Sequence, residues 1–229
     1  MKPYVQLAET HLEDGTHLSL HRHDGRFYLK YNGLELMSTS LTYSEQQLAE
    51  LGCEAIREGA RTRPACPRVL IGGLGMGFTL KRVLELVGSP AHVDVAELVP
   101  EIIEWNRTHL AEHNGPLMED PRTHVRLADL FDCLPKSPEE RYDAILIDID
   151  DTPEMLITEE NSKLYTQSFL GKLKASLKPG GCLAYWLGAP FPKFVKALMK
   201  AGFRVEETKT KPHERSKQLR HRIYVARPR

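Results

Sequence analysis

Residues Arg68–Leu80, RVLIGGLGMGFTL, decide how the rest of the chain is read. Val69, Leu70 and Ile71 form a short unbroken apolar run, the pattern of a strand buried on both faces. Gly72, Gly73, Gly75 and Gly77 follow, and then Leu80, Val83, Leu84 and Val87 recur at helical spacing. Strand, glycine-rich turn and helix in that order bring backbone amides and a helix N-terminus up to a nucleotide-like ligand. The turn reads GxGxG at Gly73, Gly75 and Gly77, with Phe78 where a GxGxxG loop would have its third glycine. Glu97 ends the next apolar run, about 20 residues on, where an acid can accept from two ribose hydroxyls. Strand, loop, helix and acid in register make the signal specific; the glycines alone would not.

Outward from this unit the chain alternates. The pattern predicts strands at 68–72, 92–97, 123–127, 143–148 and 181–187. It predicts helices near 78–87, 100–113, 161–177 and 190–201, with Lys178-Pro179-Gly180-Gly181 as a stop and turn. Segments 203–209 and 220–227 read as a final antiparallel pair. Such alternation implies an α/β fold, a Rossmann-like doubly wound and mostly parallel sheet. Residues 1–42 read instead as a small β domain. Leu18 and Leu20 alternate with polar neighbours, His23-Asp24-Gly25-Arg26 is a turn, and Asn32-Gly33 is a hairpin turn between Phe27–Tyr31 and Leu34–Met37. Strands this short must pack on the larger domain or on another subunit. Residues 43–67 read as a helix and connector, with Ser44/Gln47 and Thr42/Glu45 at capping-box spacing, and 68–229 as the nucleoside-binding domain.

Composition narrows the classes. Lysine plus arginine and aspartate plus glutamate stand at 31 each, which gives no case for a general nucleic-acid binder. No apolar run is long enough to span a bilayer, and the N-terminal MKPYVQLAET lacks the apolar core of a signal peptide. Cys53, Cys66, Cys133 and Cys182 are widely spaced, as expected of reduced thiols in a cytoplasmic protein.

Ligands of a doubly wound sheet sit at the carboxyl ends of its strands, and that rule selects an acidic rim. Glu97 ends the second strand, Asp129 follows the third, and Asp148, Asp150 and Asp151 follow the fourth. Glu97 either holds a ribose or caps the helix that begins at Pro100. Asp129 either accepts from an adenine amino group or caps the turn Asp129-Leu130-Phe131-Asp132. The three aspartates form either a polar turn or a site for a cation; an amine suits them better than a metal, because DxDD lacks the glycine and distal glutamate of a calcium loop. His17, His21 and His23 lie on a strand-like segment, where an exposed hairpin face competes with a metal site. Trp186 reads as core or pocket wall, and Trp105 as core or adenine edge. The basic tail, with Lys209, Lys211, Arg215, Lys217, Arg220 and Arg222, reads as a solvated hairpin, with RNA contact open.

These motifs resemble the spermidine synthase (polyamine aminopropyltransferase) family within the class I S-adenosylmethionine-dependent methyltransferase fold. VAELVPEIIEW (Val95 to Trp105) is similar to that family's VExDPxVI, and DPRTHVRLADLF (Asp120 to Phe131) to DPRVxxxxxDG. IDIDDTP (Ile147 to Pro153) resembles xDSSDP, and the run through Tyr165 to Gly181 resembles xxFYxxxxxxLxPGG. The resemblance implies a nucleoside site of Gly73, Gly75, Met76, Gly77, Glu97, Leu98, Asp129, Leu130 and Asp148. It implies a catalytic set of Asp148 as base and Asp151, Tyr43, Glu45 and Tyr165 around an amine. Three positions depart from the family pattern. Met76 stands where the family has an aspartate for the aminopropyl amine, Ser40 and Leu41 replace an Asp-Glu pair, and Trp186-Leu187-Gly188 replaces a glutamine.

The expected function is therefore a transferase using S-adenosylmethionine or its decarboxylated form as co-substrate, with no metal. It would pass an aminopropyl (alkyl) group to a small-molecule amine acceptor. A methyltransferase and a non-catalytic nucleoside-binding relative are the alternatives. A cytoplasmic homodimer without membrane or nucleic-acid partners is expected.

Overall fold

The computed structural model describes residues 3–149 and 159–229. Asp150 and Asp151, two of the expected rim acids, lie outside the described residues. Two sheets make up the fold. The first is four-stranded and antiparallel in the order β1 (Val5–His11), β2 (His17–His23), β3 (Arg26–Tyr31) and β4 (Leu34–Ser38). The second contains β5 (Arg68–Gly72), β6 (His92–Glu97), β7 (Thr123–Leu127), β8 (Tyr142–Ile147), β9 (Leu177–Leu187), β10 (Phe203–Thr210) and β11 (His221–Pro228). Their order is β10-β11-β9-β8-β5-β6-β7; the five strands from β9 to β7 run parallel and the last two antiparallel. This is the expected doubly wound α/β sheet with a small N-terminal β unit.

The large sheet is covered on both faces, which is why its central strands read as unbroken apolar runs. In β5, Val69 and Ile71 enter one core cluster and Leu70 the other. In β8, Leu146 goes to the first, Ile145 and Ile147 to the second. The first cluster is built from α1 (Tyr43–Gly52), α2 (Phe78–Val87) and α3 (Pro100–Arg107), together with Leu18, Leu20, Phe27 and Leu29 of the small sheet. The second is built from α5 (Gln167–Ala175) and α6 (Pro192–Lys200). The small sheet thus completes the core of the large domain, and its short strands are stabilised by that shared burial.

Three helix expectations are corrected. The capping boxes at the start of α1 do not form: Thr42 precedes the helix without a side-chain cap. Its hydroxyl instead accepts from Gln46 Nε2 at 3.1 Å, and Ser44 Oγ donates to Glu45 at 2.6 Å. The helix expected over 100–113 breaks into α3 and α4 (Ala111–Asn114). Thr108 Oγ turns back to Glu104 O at 2.8 Å, a bond that competes with helix propagation. The helix expected from 161 begins at Gln167, because Thr166 Oγ accepts from Phe169 N and caps it; a 3₁₀ segment, Glu159–Tyr165, precedes it. β1 was covered only by the general β reading of the N-terminus, since VQLAETH has no clean alternation.

Candidate nucleoside and amine site

β5 is the strand at which the order reverses: the chain runs outward through β6 and β7, then returns to β8 on the other side. The crevice over the carboxyl ends of β5 and β8 is therefore where a ligand is expected. The glycine loop occupies it. Gly73 has φ +90°, and its amide donates to Ala96 O at 2.9 Å. A Cβ on Gly73 would lie 2.3 Å from the Asp148 carbonyl oxygen. Gly77, at φ +82°, is the residue from which α2 starts. Two buried asparagines fix the loop from behind. Asn106 Nδ2 of α3 donates to Gly75 O at 2.8 Å, and Asn114 Nδ2 of α4 donates to Met76 O at 2.5 Å. The break between α3 and α4 is what lets both reach the loop.

Glu97 is tied to that loop. Leu74 N donates to Glu97 Oε2 at 3.0 Å and Val99 N to Oε1 at 2.9 Å. Burial raises its pKa, and these amides pull it back down. The Leu98 and Gly75 amides act on it in the same direction, so backbone donors hold this acceptor beside the loop. Asp129 accepts from Phe131 N at 3.0 Å and so caps the short 3₁₀ turn Leu130–Cys133. Leu130 is buried, with its methyls 3.0 and 3.4 Å from where a Gly72 Cβ would be. Leu98 is half exposed beside Glu97.

Asp148 stands against the loop at the end of β8. Its amide donates to Gly72 O at 2.9 Å, and its Oδ2 accepts from Thr79 Oγ at 2.7 Å. Glu45, on the first turn of α1, is 6% exposed and accepts from Ser44 Oγ. Burial and the Asp148 charge push the Glu45 carboxyl up; burial pushes Asp148 up, opposed by Thr79. Among the described residues, neither carboxylate has an ion-pair partner. Two neighbouring buried carboxyls of this kind titrate as a unit and share a proton near neutrality.

The other expected residues are placed less centrally. Met76 is wholly enclosed in the first core cluster. Tyr43 opens α1 with its amide on Pro212 O at 3.2 Å and the Lys211 ammonium 5.3 Å from its ring centre. Tyr165 packs on the opposite face of the sheet from α1, edge-on to Phe194 at 5.2 Å. Trp105 is core, and Trp186 packs against the first cluster. His17 pairs with Glu9, while Tyr4 stacks on His23 at 4.9 Å and lies 5.6 Å from His21. Among the described residues no group of metal-binding side chains comes together, and no helix is long and apolar enough to cross a membrane. The four cysteines are free thiols.

Four contributors escaped the sequence reading: Thr79, Asn106, Asn114 and Met37. Thr79 had a signal, a lone hydroxyl in an otherwise apolar first turn directly after the glycines. Met37 had none; it comes from the small sheet, with its sulfur 2.7 Å from the position of a Gly75 Cβ.

Comparison with known proteins agrees with the fold. The sequence model of an S-adenosyl-L-methionine-dependent methyltransferase family matches residues 101–220. A polyamine aminopropyltransferase of Mycobacterium tuberculosis is 28% identical over 159 residues, covering 66% of this chain and 28% of that protein. The chain spans less than half the length of the curated relatives it matches. Spermidine synthase from Thermotoga maritima superposes with a TM-score of 0.70 at 17% identity, over 97% of this chain and 72% of that one. Human methyltransferase-like protein 13, in complex with SAH, gives 0.57 at 20% identity, over 81% and 79%. These likenesses carry the fold, and the family match covers more than half of the chain. The chain belongs to the S-adenosyl-L-methionine-dependent methyltransferase family.

Proposed function

We propose that this protein is a spermidine synthase-like transferase that alkylates an amine with a sulfonium nucleoside, S-adenosylmethionine or its decarboxylated form. The observation that carries the reading is the buried carboxyl pair of Glu45 and Asp148 beside the glycine loop. The residues present fit the nucleoside. Gly73 leaves main chain where a side chain would stand, and Glu97 sets a carboxylate acceptor, of the kind ribose hydroxyls need, beside the loop. The nucleoside would supply an electrophilic carbon on a sulfonium whose sulfur leaves as a neutral thioether.

The protein then has to orient an amine and remove its proton. An amine arrives at neutral pH as ammonium. The Glu45–Asp148 pair binds that cation, and its ionised member takes one proton. The freed lone pair forms the new C–N bond as the C–S bond breaks and its electron pair passes to sulfur. Ser44 and Thr79 hold the two carboxyls in place by their hydroxyl donors. The naming of relatives as polyamine aminopropyltransferases supports the same chemistry.

One observation favours methyl transfer from S-adenosylmethionine itself. Met76 replaces the carboxylate that the resemblance assigns to the aminopropyl amine, and it is buried. Both donors, incubated with a panel of mono-, di- and polyamines, separate the readings by product mass. An aminopropylated amine is the expected product. A methylated amine moves the function to methyl transfer, and nucleoside binding without any product leaves a non-catalytic relative.

A further inference from the structure

Beyond the carboxyl pair, a cleft of about 510 Å³ opens at the N-terminal end of α1. Three separate segments wall it. Arg26 opens β3, Ser40, Leu41, Thr42, Tyr43 and Gln46 come from the entry to α1 and its first turn, and His213, Glu214 and Arg215 from the β10–β11 loop. The amide of Tyr43 on Pro212 O anchors that loop across the domain junction.

The chemistry of the walls is one-sided. Among the described residues, neither the Arg26 nor the Arg215 guanidinium has an ion-pair or side-chain hydrogen-bond partner. Among the described residues on the lining, Glu214 alone carries a carboxylate. Lys211, next to the lining, holds its ammonium over the Tyr43 ring and donates to Glu214 O. The ten-residue α1 points its start into the same space, with no side chain capping its first turn, so its dipole adds positive potential there. Two guanidinium forks lining one cleft suit a planar carboxylate or a phosphate.

We propose that this cleft binds a small anionic group, a carboxylate or a phosphate, between Arg26 and Arg215. Glu45 is buried and off the lining, but its chain neighbours Tyr43 and Gln46 line the cleft, so the anion would be the acidic end of an acceptor whose amine meets the carboxyl pair. That use of the cleft rests on the proposed amine chemistry; the anion site itself does not. A plain polyamine would leave the cleft unused, so the acceptor class becomes an amine that also carries an acid.

Calorimetric titration at constant ionic strength tests it, with inorganic phosphate, pyrophosphate and succinate as probes and chloride as the reference. Saturable binding of at least one probe is expected, weakened at least ten-fold in the Arg26→Ala/Arg215→Ala double variant. S-adenosylhomocysteine affinity should stay within two-fold, since both arginines are exposed and neither belongs to the glycine loop or to the carboxyl pair. Preference for phosphate or for succinate supports the site either way and names the source of the anion. Equal affinity in the double variant overturns the proposal. So does no binding above chloride, or binding of a single-stranded RNA but of none of the small anions. The measurement needs no turnover, so anion binding with no transfer would count against the amine chemistry alone.

Discussion

Gly73→Ala is expected to abolish nucleoside binding and to destabilise the protein by about 2–4 kcal/mol. Two causes add. The residue sits at φ +90°, where any side chain is strained. Its Cβ would also lie 2.3 Å from the Asp148 carbonyl oxygen and 3.1 Å from the carbonyl carbon. Those are main-chain atoms, and Asp148 N is itself bonded to Gly72 O, so no side chain can simply rotate away. The seam between β5 and β8 must open, carrying Asp148 and the loop amides apart. Gly33→Ala is the control. It has a similar φ of +81° with nothing within 4 Å, and should cost about 1 kcal/mol without touching binding. Chemical denaturation and calorimetry with S-adenosylhomocysteine read both variants. If the two substitutions behave alike, the loop does not form the seam described.

Asp148→Asn should lower amine alkylation by about 10²–10⁴-fold, the usual worth of a positioned acid–base group, and leave nucleoside affinity nearly intact. The pair also has a signature that needs no activity. Both carboxyls have folded-state pKa values raised above the ordinary range. Between about pH 4 and neutrality, the unfolded chain has released protons that the folded protein keeps. Stability therefore falls as pH rises through that window. Glu45→Gln removes the larger part of this dependence. Its melting temperature should exceed that of the native protein at pH 7.5, with the difference shrinking towards pH 5. A variant less stable than the native protein at pH 7.5 would mean that Glu45 is held ionised by a cation, and the shared-proton account would fail.

Much of this was legible in the sequence because local pattern and global fold agree at the large sheet. RVLIG and the AILI of YDAILI are unbroken apolar runs, HVDVAE puts Val93 and Val95 into the first cluster and the ion-paired Asp94 on the other face, and each strand ends at or just before a residue expected at the ligand crevice. The cores behind them explain why: neighbouring side chains of one strand enter different clusters. The helices after the glycine loop and after β9 were equally plain. What sequence could not supply was anything set by contacts distant along the chain. Asn106 and Asn114 look like ordinary polar helix residues until the loop carbonyls they satisfy are in place. Met37 reaches Gly75 only because the small sheet docks on the first core. Glu45 was found through resemblance, since a capping-box reading of the same residues pointed elsewhere. The capping expectation failed because burial lets Ser44 bond the Glu45 carboxyl directly instead of closing the helix end.

The central claim is that one crevice joins the nucleoside loop to the Glu45–Asp148 pair. A crystal structure with S-adenosylmethionine bound tests it most directly. The account predicts the ribose hydroxyls on Glu97 and the sulfonium substituents facing Asp148, with Glu45 beside them. A nucleoside bound away from Glu97, or a sulfonium turned from Asp148 toward the far end of the sheet, would contradict it.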